Sequence, residues 1–251
     1  MFLHSVDIQE EAMVADIVAS DYRTADVFSK YGIEYNHDGN LPLFAACQSK
    51  GLDSKQVISD LKVAVRETNM SNSINYNDWH IDFLTDYIVN VHHQYLRNAI
   101  LALNEYIDAF VREHKNQFSY LIDLQRLIAK MNRHFTPHMK HEEEIIFPYI
   151  RQIAHAYYSK ESYASLLVRT LRKPIEDIVE QEHELIADNL KLLREITNTY
   201  SLPSNASLSH KVAFLKLKEI DTDLVQHMFL ENEVLFPRAL AMEKELLAHN
   251  D

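Results

Sequence analysis

Residues 138–148 read HMKHEEEIIFP and residues 227–237 read HMFLENEVLFP, and the match between them decides the fold. Laid over each other at an offset of 227 − 138 = 89, they agree at six of eleven positions: His138 with His227, Met139 with Met228, Glu142 with Glu231, Glu144 with Glu233, Phe147 with Phe236, and Pro148 with Pro237. Two more positions exchange one aliphatic residue for another. Self-similarity at a fixed offset marks a repeated structural unit. In each copy the histidine and glutamate are four residues apart, which on a helix puts them on one face, one turn or roughly 6 Å apart. Such a pair suits two donors converging on one metal.

The repeat extends upstream. His93, in NVHHQYLR, lies 138 − 93 = 45 residues before His138, and His183, in EQEHELI, lies 227 − 183 = 44 before His227. Each half then supplies one lone histidine and one His-x-x-x-Glu. Two helix pairs related by approximate two-fold symmetry would bring His93, His138, Glu142, His183, His227 and Glu231 to one centre. Imidazole and carboxylate donors suit iron, zinc or manganese, and a duplicated motif gives a binuclear site whose carboxylates can bridge. A repeat kept for packing alone would explain the Phe-Pro ends, which read as helix termination. Packing gives no reason to repeat a polar His and Glu at fixed spacing.

Other histidines fit less well. His92 points about 100° away from His93 on a helix, and His134 and His141 flank His138; all three read as lying outside the ligand set or in solvent. Glu182 precedes His183 and could orient a ligand or carry a proton near the metals, or else belong to a solvated acidic face.

Around these motifs the chain reads as all-α. Only 3 glycines and 6 prolines in 251 residues leave little material for the tight turns of a β-protein. From Trp79 apolar residues recur at helical spacing, predicting long helices from there to about Arg112, from about Asn116 toward Arg151, from about Glu161 to Tyr200, and from about Leu208 to Leu247. Short connections make these an antiparallel four-helix bundle over 78–251. Pro137 and Pro174 fall inside the second and third segments and tend to kink or restart them; Thr136-Pro137 could be a cap and first helical position. Residues 1–70 read as a small domain of short helices, with Ser20 or Asp21 capping one, Gly32 stopping it, and Asp53 or Ser54 capping another. The polar run ETNMSNSINYN at 67–77 reads as a linker.

The balance of 25 basic and 37 acidic side chains, net −12, argues against a nucleic-acid partner. A single cysteine, Cys47, excludes an intramolecular disulfide framework and a thiolate zinc site. The N-terminal MFLHSVDIQEEAMVADI is acidic where a signal peptide is basic, and no run of about 18 apolar residues occurs. A soluble cytoplasmic protein with no membrane partner, monomer or homodimer, is the expectation.

Ferritin-like di-iron enzymes need Glu-x-x-His on two helices. Only His183 has a glutamate, Glu180, three residues before it; Asn90, Phe135 and Leu224 stand at that place before His93, His138 and His227. A histidine-rich, hemerythrin-like centre is therefore favoured. Together the stretches DYRTADVFSKYGIEY, ACQSKGLD, HHQYLR, HMKHEEEIIFP, EQEHELI and HMFLENEVLFPRAL resemble, over nearly the whole chain, the bacterial repair-of-iron-centres proteins, also described as regulators of cell morphogenesis and nitric oxide signalling. That resemblance implies a short helical N-terminal domain before a hemerythrin-like bundle, two non-haem irons on the six residues named, and both glutamates bridging. It implies restoration of iron-sulfur clusters damaged by nitric oxide or peroxide, with damaged iron-sulfur proteins as partners. One departure stands out: members often carry adjacent cysteines where this chain has Asn36 and His37, so chemistry needing paired thiols is in doubt here. Two other readings stay open, a carrier or sensor of oxygen or nitric oxide and a reductase of nitric oxide, as does a purely structural bundle.

Overall fold

The computed structural model describes residues 8–36, 38–65, 74–160, 164–171 and 175–248. His37, Glu161, Pro174 and most of the linker read at 67–77 lie outside them. Among the described residues no strand forms; one isolated antiparallel bridge joins Met13 to Pro42.

Four short helices come first: α1 (Val14–Ser20), α2 (Thr24–Lys30), α3 (Leu43–Ser49) and α4 (Ser54–Ala64). Asp53 caps α4 by accepting from the Lys55 amide, and Gly32 and Gly51, both at φ +66°, follow the ends of α2 and α3 where a Cβ would be strained. Ile17, Phe28, Leu43, Cys47 and Leu61 form the core of this unit, and Tyr106 and Val212 of the bundle complete it. Cys47 is thus a small core residue.

The first bundle helix runs through α5 (Ile81–Tyr87), a π-helical stretch Ile88–His93, and α6 (Gln94–His114). The second comprises α7 (Leu121–His141), a π stretch Glu142–Ile146, and α8 (Phe147–Ser159). The third is α9 (Ala164–Leu171) and α10 (Ile175–Ile196). The fourth is α11 (Leu208–Phe229), a π stretch Leu230–Leu235, and α12 (Phe236–Ala248).

Two expectations about proline are corrected. Pro137 neither kinks the chain into two helices nor caps one, because α7 runs through it; its flanks Phe135, His138 and Met139 are buried, and that face holds the helix against the one lost hydrogen bond. Nor does Phe-Pro end a helix in either copy of the repeat. A proline in an α-helix clashes with the carbonyl four residues back, but Pro148 and Pro237 each follow a π stretch, as second residue of α8 and α12. There proline occupies the first turn of a new α segment, where its missing N–H costs little.

The bundle core falls into two apolar layers. Leu96, Phe110, Leu124, Phe135, Leu193 and Leu217 belong to one; Ile81, Ile88, Phe147, Ile150, Val168 and Leu235 to the other. Successive helices pass between the layers in alternating directions, as in an up-down-up-down bundle. Beside the first layer Asp221 of α11 accepts from Arg194 Nε of α10 at 2.8 Å and from the Tyr200 hydroxyl at 2.7 Å.

Candidate metal centre

Between the two layers, where apolar contact stops, all six residues of the repeat meet. His93, His138, Glu142, His183, His227 and Glu231 are each at most 4% exposed. Their donor atoms form two groups within 4.8 Å, His93–Glu142–His227–Glu231 and His138–Glu142–His183–Glu231, sharing both carboxylates. His93 Nε2 lies 3.0 Å from His227 Nε2, which lies 2.9 Å from Glu231 Oε1. Glu142 Oε2 is 3.4 Å from both His93 Nε2 and His138 Nε2. His183 Nε2 is 3.4 Å from Glu231 Oε2 and 3.6 Å from Glu142 Oε1.

These separations are those of ligands around a common ion. Nitrogen and oxygen donors about 2.0–2.2 Å from a metal stand roughly 3 Å or slightly more from one another. The hydrogen-bond count agrees: both Glu142 oxygens, Glu231 Oε2, His138 Nε2 and His183 Nε2 are buried with no hydrogen-bond partner among the described residues. Native interiors seldom leave polar atoms so, and an unfilled ion is one accepted cause. The residues therefore fit a metal pair.

Three π turns set this geometry. Each carries or begins at donors: His93 closes the first, Glu142 opens the second, and Glu231 is the second residue of the third. A π turn adds a residue to the helix and re-aims the side chains around it, which is why such turns gather at functional sites.

A second ring of groups aims the imidazoles. His93 Nδ1 lies 2.7 Å from Glu143 Oε1, His138 Nδ1 2.7 Å from Glu182 Oε2, and His183 Nδ1 2.6 Å from Asn232 Oδ1. With Nδ1–H donating outward, each Nε2 lone pair points inward. Glu182, read from sequence as a possible orienting group, thus touches His138 across the bundle. Glu143 and Asn232 were not singled out by the sequence reading; their signal is that each directly follows a repeated glutamate. His92 is buried, its Nδ1 3.0 Å from Asp223 Oδ1, whereas His134 is exposed and His141 half-buried.

Charge in the cluster is balanced internally. Burial works to raise the carboxyl of Glu231, but the charge of His227, its hydrogen bond at 2.9 Å and the neighbouring His93 hold it well below the usual carboxylate range. Burial likewise opposes charge on His93, yet the facing carboxylates of Glu142 and Glu231 push it up to about 10. An ion entering here would displace protons from imidazoles that face the two carboxylates.

The family model described as "Hemerythrin HHE cation binding domain" matches residues 85–239, that is 155 of 251 residues. This chain belongs to the hemerythrin HHE family. All six converging donors lie within the hemerythrin HHE match. Residues 10–65 match a second model, ScdA_N, described as a domain of unknown function (DUF542). Among curated proteins, the iron-sulfur cluster repair protein ScdA of Staphylococcus haemolyticus (strain JCSC1435) is 26% identical over 229 residues, covering 91% of this chain and 98% of the relative. The iron-sulfur cluster repair protein YtfE of Escherichia coli O17:K52:H18 is 27% identical over 234 residues, covering 92% and 97%. The same two-part plan thus spans relatives of nearly equal length. Among the described residues no helix is long and apolar enough to cross a membrane.

Proposed function

We propose that this protein holds two non-haem irons on His93, His138, Glu142, His183, His227 and Glu231, and serves the repair of iron-sulfur clusters damaged by nitrosative or oxidative stress. The observation that carries the reading is a pair of buried four-donor groups sharing both carboxylates, in a chain similar over nine-tenths of its length to proteins named for cluster repair. Bound ferrous ions would supply exchangeable iron and open positions for a diatomic such as nitric oxide or oxygen.

The protein's own groups do the rest. Glu231 offers one oxygen to each half, Oε1 toward His227 and Oε2 toward His183. Phe147 stacks on His93 with centroids 5.7 Å apart, and Phe236 lies 6.0 Å from His183, so water is kept from both sides. Glutamates that shift from shared to single-sided binding would loosen one ion without unfolding the bundle. Damaged iron-sulfur proteins are the partners in this reading, and the cytoplasm, where a lone buried cysteine stays reduced, is the compartment.

The test is elemental analysis and absorption spectroscopy on protein purified without air, beside a His138→Ala/His227→Ala double variant, followed by incubation with an iron-sulfur enzyme inactivated by nitric oxide. About two irons per chain, lost in the variant, with enzyme activity restored by the parent alone, is the expected result. Little iron in the parent would overturn the metal assignment. Two irons with reversible oxygen or nitric oxide spectra and no restored enzyme would overturn repair in favour of a carrier or sensor.

A further inference from the structure

The pseudo-two-fold symmetry of the centre fails in the groups behind its ligands. The offset that carries Glu142 onto Glu231 also carries Glu143 onto Asn232, since 143 + 89 = 232. His93 therefore leans on a carboxylate where its counterpart His183 leans on a neutral amide. The residues just before the lone histidines differ more. Glu182, before His183, accepts from His138 Nδ1 at 2.7 Å. Its counterpart before His93 is His92, which makes no such bond to His227. The two rings lie nearly parallel, 21° apart with centroids at 6.0 Å, and His92 turns its Nδ1 to Asp223 instead. His227 Nδ1 is buried without a hydrogen-bond partner among the described residues.

We propose that the metal position on His93 and His227 is the exchangeable one of the pair and that the position on His138 and His183 is the retained one. This rests on the di-iron reading above and adds which iron leaves. An acceptor on Nδ1–H fixes the ring and makes Nε2 a stronger donor, and losing one typically costs 10–100-fold in metal affinity. The His138 and His183 position has both acceptors, Glu182 and Asn232. The opposite position has one, Glu143, and its charge is shared with Arg97, whose Nη1 donates to the same oxygen at 2.8 Å. His227 is left to stacking for its orientation. Loss of the ion there would leave Glu142 and Glu231 still bound through the other ion, so the centre keeps its shape after giving up half its iron.

The full-length chain, loaded with two equivalents of ferrous iron without air, is mixed with excess of a colorimetric ferrous chelator, so that only ligand exchange is read. The parent is expected to release iron in two phases of one equivalent each, with rates about tenfold or more apart. Glu182→Ala, which removes the acceptor, is expected to quicken the slow phase alone, and Glu143→Ala the fast phase alone; both side chains are partly exposed and leave the core intact. Release of both irons in one phase would overturn the proposal, as would either substitution quickening both phases together or Glu182→Ala quickening the fast phase. A parent that never takes up two irons would instead overturn the di-iron reading beneath it.

Discussion

His210 shows how one side chain can set the acid tolerance of the whole bundle. Its ring lies 4.4 Å from both Phe110 and Phe214 and 5.3 Å from Phe118, and its Nε2 is buried without a hydrogen-bond partner among the described residues. Burial, aided by nearby His114, pushes its pKa down to about 4. In the unfolded chain an imidazole titrates near 6.5. Below that pH the unfolded state takes up a proton that the folded state refuses until about pH 4, so stability falls as pH drops through this window and flattens below it. Between pH 7 and pH 5 the loss should be about 2 kcal/mol. Urea unfolding of parent and His210→Leu at both pH values isolates it, since the metal centre titrates equally in each. The variant should lose about 2 kcal/mol less than the parent; equal losses would clear His210 of the role.

At the scale of elements, the π turns are the devices that place the donors, and the one at Glu142–Ile146 can be tested by removing its extra residue. A π turn is an α-helix with one residue inserted, so deleting exposed Ile145 should let the turn close to α geometry with α7 and α8 still in register. Circular dichroism and thermal unfolding should stay near the parent, while Glu142 is re-aimed and metal affinity drops by roughly tenfold or more. Collapse of the fold would show that the turn is not a simple insertion; unchanged metal binding would show that it does not aim the donor. These turns mark the limit of what the sequence discloses. Four long helices and six convergent donors are legible because hydrophobic period and a repeated His-x-x-x-Glu survive any local rewinding. The π turns are not, because one added residue in a thirty-residue helix barely disturbs that period, and the prolines after two of them read as stops until the wider turn is seen. Glu143, Asn232 and the His92–Asp223 pair escaped for another reason: each acts across helices, on a partner 49 or more residues away.

On the scale of the molecule, the small N-terminal unit is joined to the bundle through apolar contact and through a buried lysine paired with a partly exposed aspartate. Lys216 of α11, only 7% exposed, donates to Asp26 of α2 at 2.5 Å and to Glu219 at 3.2 Å. Asp26 also accepts from the Tyr106 hydroxyl of α6 at 2.8 Å, and the ammonium lies 5.2 Å from the centre of the Tyr22 ring. Breaking such a pair from one side is costly because a cation stays behind in a low-dielectric setting, whereas removing both partners is far milder. Asp26→Ala alone should therefore destabilise the chain by about 1–3 kcal/mol, and should cost clearly less in a Lys216→Met background. Amide hydrogen exchange should show protection falling in α1–α4 while α7 and α10, which carry His138 and His183, keep theirs and the metal content is unchanged. Equal cost in both backgrounds would mean that Lys216 does not depend on Asp26. Metal lost along with the N-terminal protection would mean instead that the small unit and the candidate centre open as one, tying metal retention to the docking of a unit that touches none of the six donors.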